Sequence, residues 1–165
     1  MRSSDGPNAN RVDVGAGSYR VGMAYTVQVT IDSADPHALA DWWAETLGWR
    51  VEAQDEAFIR QMISEGNATE ADTVMHRGAL VWREAAAIHP ADEQLPRAPR
   101  IYFQMVPEAK AVKNRVHLDV RAGDDDVEVV RTRLVERGAT ILYSGRQGPH
   151  TWVTMADPEG NEFCV

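Results

Sequence analysis

One strand-and-turn pattern occurs twice in this chain, and it constrains the fold more than any other feature. VQVTIDSADP at 27–36 lies over VHLDVRAGDD at 116–125, an offset of 89 residues. Val27, Val29 and Ile31 alternate with Gln28, Thr30 and Asp32, as Val116, Leu118 and Val120 alternate with His117, Asp119 and Arg121. Such period-two alternation marks a half-buried strand. Each strand leads through an acidic turn into a helical pattern, at 37–46 and 127–137, of about three turns. Gly48 and Gly138 close the two patterns, where a left-handed residue commonly ends a helix. Strand, acidic turn, helix and closing glycine recurring together define an internal repeat.

Short strand patterns follow each helix. They fall at 49–52, 80–84 and 100–106 after the first, and at 139–143, 151–156 and 161–165 after the second. The last two flank Asp157-Pro158-Glu159-Gly160, a tight hairpin turn. A further short helix is expected at 55–65. The chain therefore reads as α+β, one domain of two paired βαβββ units. The first unit spans 23–106 with a helical insertion at 53–99, 107–114 is a linker, and the second unit spans 115–165. Residues 1–22, rich in Ser, Gly, Asn and Asp without a period, read as a flexible N-terminal tail. Two such units side by side form a curved mixed sheet around a cleft, with helices outside. The polar strand faces, including Gln28, Thr30, His117 and Asp119, then converge on the cleft.

Charge and cysteine usage narrow the function. The 165 residues carry a formal net charge of −8, all of it in the folded part. That argues against broad nucleic-acid binding, which needs a basic surface. No apolar run approaches the ~20 residues needed to span a bilayer, and 1–22 lacks the apolar segment of a secretory leader. The single cysteine, Cys164, excludes an internal disulfide and a multi-cysteine zinc cluster. The expected setting is the cytoplasm.

Three segments resemble a known superfamily: the strand–DP–helix–LGW run at 27–49, KNRVHLDV at 113–120 and DPEGNEFCV at 157–165. Together they are similar to the vicinal oxygen chelate group, which includes glyoxalases, bleomycin-resistance proteins and dioxygenases. Within it, the likeness is to a glyoxalase-like subgroup common in actinobacteria. The resemblance implies a homodimer and, in metal-using members, a divalent ion held by four ligands from the inward faces of both units. Those positions fall here on Gln28, on Gln104, on His117 (or Asp119 with a one-residue slip) and on Cys164, where a carboxylate is expected. Glu162 lies two residues earlier on the same strand face. Amide, imidazole and thiol donors suit Mg²⁺, Mn²⁺ or Fe²⁺ poorly. Zinc or nickel would accept the His and Cys, but two amides would hold such an ion weakly.

The expected function is therefore metal-independent binding of a small molecule, of the bleomycin-resistance kind. The alternative is a lyase or isomerase that abstracts a proton from a small oxygenated metabolite, with a divalent metal as an option. For that chemistry His117, Asp119 and Glu162 are the candidate catalytic groups, since imidazole titrates near neutrality. Gln28, Thr30, Trp49, Tyr102, Gln104, Trp152 and Cys164 are candidate cleft residues, the aromatic ones suiting a planar ligand. Trp42 and Trp43 are assigned to core and a dimer-facing surface. Lys110, Lys113 and Arg115 form a basic cluster, read either as a solvated linker or as a rim for an anionic ligand. Asp124, Asp125 and Asp126 are read as helix capping.

Overall fold

The computed structural model describes residues 27–91 and 99–165. The expected tail at 1–22 lies outside the described residues. Strand β1 (Val29–Ser33) leads into helix α1 (Pro36–Leu47). Sequence dictates both ends of α1. The Asp35 carboxylate accepts from the Ala38 amide at 3.1 Å, Pro36 opens the first turn, and Gly48 closes it at φ 64°, as N-cap and C-cap chemistry require. Strand β2 (Arg50–Val51), helix α2 (Glu56–Ser64), strands β3 (Thr73–His76), β4 (Ala79–Trp82), β5 (Ala85–His89) and β6 (Ile101–Met105) follow. The second unit comprises β7 (Leu118–Asp119), α3 (Val127–Glu136), β8 (Thr140–Gln147), β9 (His150–Ala156) and β10 (Glu162–Cys164). Asp126 caps α3 through the Glu128 amide.

The repeat is visible in the topology. The first sheet runs β1-β6-β5-β2 and the second β7-β10-β9-β8. In each, the first strand pairs in parallel with the last, and the remaining pairs are antiparallel. The curved surface is thus built as two four-stranded mixed sheets. Their inner edges, β1 and the β7 segment, line one seam cavity of about 690 Å³.

One core serves both units. Leu39, Trp42 and Trp43 of α1 join Phe103 of β6, Leu134 of α3, and Met155 and Phe163 of the second sheet. Trp42, Trp43 and Phe163 pack edge-on, with ring centroids 5.0–5.8 Å apart, the geometry that aromatic quadrupoles favour. Both tryptophans are buried, so neither faces a dimer surface as expected. Trp42 Nε1 donates to the Arg137 carbonyl at 2.9 Å, and Arg137 returns bonds to Trp42 O and Thr46. The two helices are tied together at their C-terminal ends.

The terminal turn locks the units to each other. Buried Asp157 accepts from the Glu159 and Asn161 amides and from Trp43 Nε1 at 3.1 Å. Burial nevertheless raises its pKa, against those donors. Glu159 reaches the β1–α1 turn and accepts from Ser33 Oγ (2.8 Å), Ala34 N (2.8 Å) and Asp35 N (2.9 Å).

Two expectations change. Strand β5 falls inside 53–99 and is integral to the first sheet, so the added elements are α2 and the β3–β4 hairpin. The hairpin is pinned to α1 by His76–Asp41 at 2.7 Å and by His37 Nε2 on Trp82 O at 2.8 Å. The strand expected at 115–121 is only two residues long, and Val116 is 79% exposed. It precedes a sheet-edge strand and lines the open seam cavity rather than a packed layer.

Candidate functional site

The larger cavity, about 1090 Å³, opens on the second unit. Three sequence-expected residues meet in it. His117, Asp119 and Cys164 each present one N, O or S atom, all within 4.8 Å of one another. The pairing of β7 with β10 causes this: Asp119 and Cys164 are direct partners across parallel strands, and Val120 N donates to Cys164 O at 2.8 Å. His117 lies two residues earlier, with Nε2 3.3 Å from Asp119 Oδ1. Both side chains are about half exposed, at 43% and 55%. Cys164 Sγ sits 3.7 Å from Thr154 Oγ1 on β9.

Glu162 borders the same cavity, but its carboxylate is already engaged. It accepts from the Asn114 amide at 2.9 Å and pairs with Lys110 Nζ at 3.0 Å. The Asn114 amide first, and the Lys110 ammonium after it, hold its pKa down at about 2. A carboxylate that is so weak a base is a poor proton acceptor near neutrality. Its role here is to clasp the linker onto β10.

Trp152 forms an aromatic wall of the cavity. It lies against Gly145, its direct partner on β8. A Cβ on Gly145 would fall 2.2 Å from the indole, so only glycine permits this seat. Tyr143, Gln147, His150, Arg121, Arg131 and Lys113 complete much of the lining. Tyr143, Gln147, His150 and Arg131 are not among the cleft residues expected from sequence. The β8–β9 hairpin continues past Tyr143 to a Gly148 turn at φ 59°. Reading Gly148-Pro149 as that turn would have extended both strands and placed Tyr143, Gln147 and His150 near Trp152; Arg131 comes instead from α3.

The remaining candidates lie elsewhere. Gln28 accepts from Arg100 at 3.0 Å and lines neither cavity. Thr30 lines the seam cavity. Tyr102 pairs with Thr30 and Gln104 with Asp32 on the first sheet, with the Arg100 guanidinium 5.4 Å from the Tyr102 ring centre. Trp49 packs against the shared core rather than walling the cleft.

A family model for the glyoxalase-like domain matches residues 28–165. The chain belongs to this family. Solved structures of the same superfamily share its fold. A possible glyoxalase from Bacillus cereus aligns at 12% identity over 87% of this chain and 98% of its own, with a TM-score of 0.53. Fosfomycin resistance protein FosX from Mesorhizobium loti aligns at 10% identity, over 86% and 90%, at 0.54. A glyoxalase/bleomycin resistance protein/dioxygenase superfamily member from Sphaerobacter thermophilus aligns at 17%, over 86% and 95%, at 0.51. A comparison with curated protein sequences finds no match.

The four-ligand, two-unit metal centre implied by the resemblance does not fit this glyoxalase-like chain. Gln28 and Gln104 line neither cavity that His117 borders, and Glu162 is held by Lys110 and Asn114. What the fold assembles instead is imidazole, carboxylate and thiol from one unit. No helix among the described residues is long and apolar enough to cross a membrane.

Proposed function

We propose that this glyoxalase-like protein binds a small, partly planar molecule in the second-unit cavity. The observation that carries the reading is the cavity itself: about 1090 Å³, walled by Trp152 and Tyr143, with His117, Asp119 and Cys164 on its surface. Ligand sites combine an apolar, aromatic wall with a few convergent polar groups in this way. FosX, which shares the fold, is a fosfomycin resistance protein, and binding of the bleomycin-resistance kind is the specific form of the proposal. A thermal-shift screen of small aromatic and oxygenated compounds tests it. At a ligand concentration ~100 times Kd a native-state binder stabilises by about 2.7 kcal/mol, a rise of several degrees for a chain of this size. Absence of any hit, or hits unaffected by Trp152→Ala, refutes the assignment.

A second reading, lyase or isomerase chemistry on an oxygenated metabolite, is favoured by the convergence of three reactive side chains on that surface. Turnover that survives His117→Ala unchanged would exclude it. The homodimer implied by the resemblance belongs to the same proposal. The β8 edge exposes Ile141, Leu142 and Tyr143, an apolar edge that a second copy would cover. Light scattering measures it directly.

A further inference from the structure

The lining of the second-unit cavity divides by element. The β8–β9 ribbon supplies the aromatic part. Tyr143 and Gln147 on β8, and His150, Trp152 and Thr154 on β9, recur with period two and all border the cavity, as side chains on one face of a sheet do. The cations come from elsewhere: Lys113 from the linker, Arg121 from the segment after β7, and Arg131 from α3. Building on the small-molecule reading of this cavity, we propose that it selects a planar anion, an aromatic carboxylate, with its rings on Trp152 and its negative group held by Arg121 and Lys113.

The chain as a whole carries −8 and would disfavour an anion unless local charge outweighed that field. Here the acids of the lining are already matched. Glu162 pairs with Lys110, which does not itself line this cavity. Glu128 pairs with Arg131, but Glu128 is 78% exposed and Arg131 only 15%, so water screens the acid more than the base. Asp119 faces His117 at 3.3 Å. Lys113 and Arg121 pair with no carboxylate among the described residues. Two unpaired cations against Asp119 leave a positive surplus.

The donors also suit the group. A guanidinium presents a planar fork that matches a carboxylate, and an ammonium beside it adds a point charge. Arg131 Nε is buried with no hydrogen-bond partner among the described residues, so an anion in the cavity offsets a deficit already present in its wall. The basic cluster of the sequence is thereby resolved residue by residue. Lys110 is committed to Glu162, Arg115 lines neither cavity, and Lys113 borders both. A cationic ligand would meet Asp119 alone, against Lys113 and Arg121.

The full-length protein would be titrated calorimetrically with naphthoate, naphthamide and naphthylmethylamine, which share one ring system and differ in charge. The expected result is that naphthoate binds about tenfold or more tightly than either of the others. Added salt weakens naphthoate and leaves naphthamide unchanged. Arg121→Gln and Lys113→Gln, both at exposed positions, each weaken naphthoate by about fivefold without affecting naphthamide. Arg115→Gln changes neither. Naphthamide or naphthylmethylamine binding as tightly as naphthoate overturns the charge assignment and leaves small-molecule binding in place. So does an Arg121→Gln/Lys113→Gln double variant that binds naphthoate as wild type does. Loss of naphthoate binding in Arg115→Gln would put the anion outside this cavity and overturn it too. Failure of all three probes to bind also overturns it, and the wider thermal-shift screen then decides the functional reading separately.

Discussion

Replacing Glu159 by alanine tests how the two units are held in register. One carboxylate accepts three hydrogen bonds across the unit boundary, from Ser33 Oγ, Ala34 N and Asp35 N at 2.8–2.9 Å. Bonds to a charged acceptor are each worth about 1.5–3 kcal/mol when nothing replaces them. The Ala34 and Asp35 amides are exposed, so water takes over much of their share. Ser33 is buried, at 1% exposure, and its hydroxyl loses its partner outright. The net cost is about 3 kcal/mol. For a chain of this size that lowers Tm by about 6–12 °C. Circular dichroism melts at neutral pH measure it, and Glu159→Gln, which keeps one carbonyl oxygen, is expected to lose about half as much. Ser33→Ala adds less in the Glu159→Ala background than in wild type, since both remove the same contact. A Tm within about 2 °C of wild type, or strict additivity of the pair, refutes the clasp. The turn also leads directly into β10, so Glu159→Ala is expected to weaken whatever binds at Cys164 without touching it.

Gly145→Ala forces the Trp152 indole from its seat. It is expected to change the near-ultraviolet circular dichroism and to cost about 1–3 kcal/mol by overpacking. An unchanged tryptophan signal would refute that contact. Glu162 has a folded pKa of about 2 against an ordinary 4.5. Its ionised form therefore stabilises the fold above the ordinary value, and that contribution is lost as pH falls from about 4.5 toward 2. Lys110→Met removes one cause of the shift, so the loss of Tm on acidification below about pH 4.5 is smaller than in wild type and is complete at a higher pH. An identical acid profile would refute the role given to Lys110. His117→Ala is expected to leave Tm nearly unchanged, because the side chain is half exposed, while lowering affinity for any ligand found by thermal shift, as calorimetry would show.

Much of the architecture is legible because it is written in local chemistry. Asp35, Pro36 and Gly48 delimit α1 whatever surrounds it, and Asp157-Pro158-Glu159-Gly160 dictates a turn, with Gly160 at φ 91°. Strand β5 is hidden in the sequence because Ala85-Ala86-Ala87-Ile88 alternates neither size nor polarity. It is a strand because β2 and β6 pair on either side of it. Trp49 departs from expectation for a related reason: an aromatic residue beside a cleft-forming strand has two neighbours to choose from, and the shared core offers more apolar surface.

By itself, the sequence determined that there are two related units, where their helices start and stop, and that His117 and Asp119 share a strand face. Those are short-range facts, governed by backbone preference and side-chain period. Which polar groups meet was decided only by the tertiary structure. Alternation reports the face of a strand but not its partner or register. The parallel pairing of β7 with β10 sets Asp119 beside Cys164. The linker bond from Lys110 removes Glu162 from that company, and the separation into two sheets keeps Gln28 and Gln104 out of it. Cys164, at the position where the resemblance implies a carboxylate, thereby has a carboxylate neighbour on the adjoining strand, a pairing that strand alternation alone does not report.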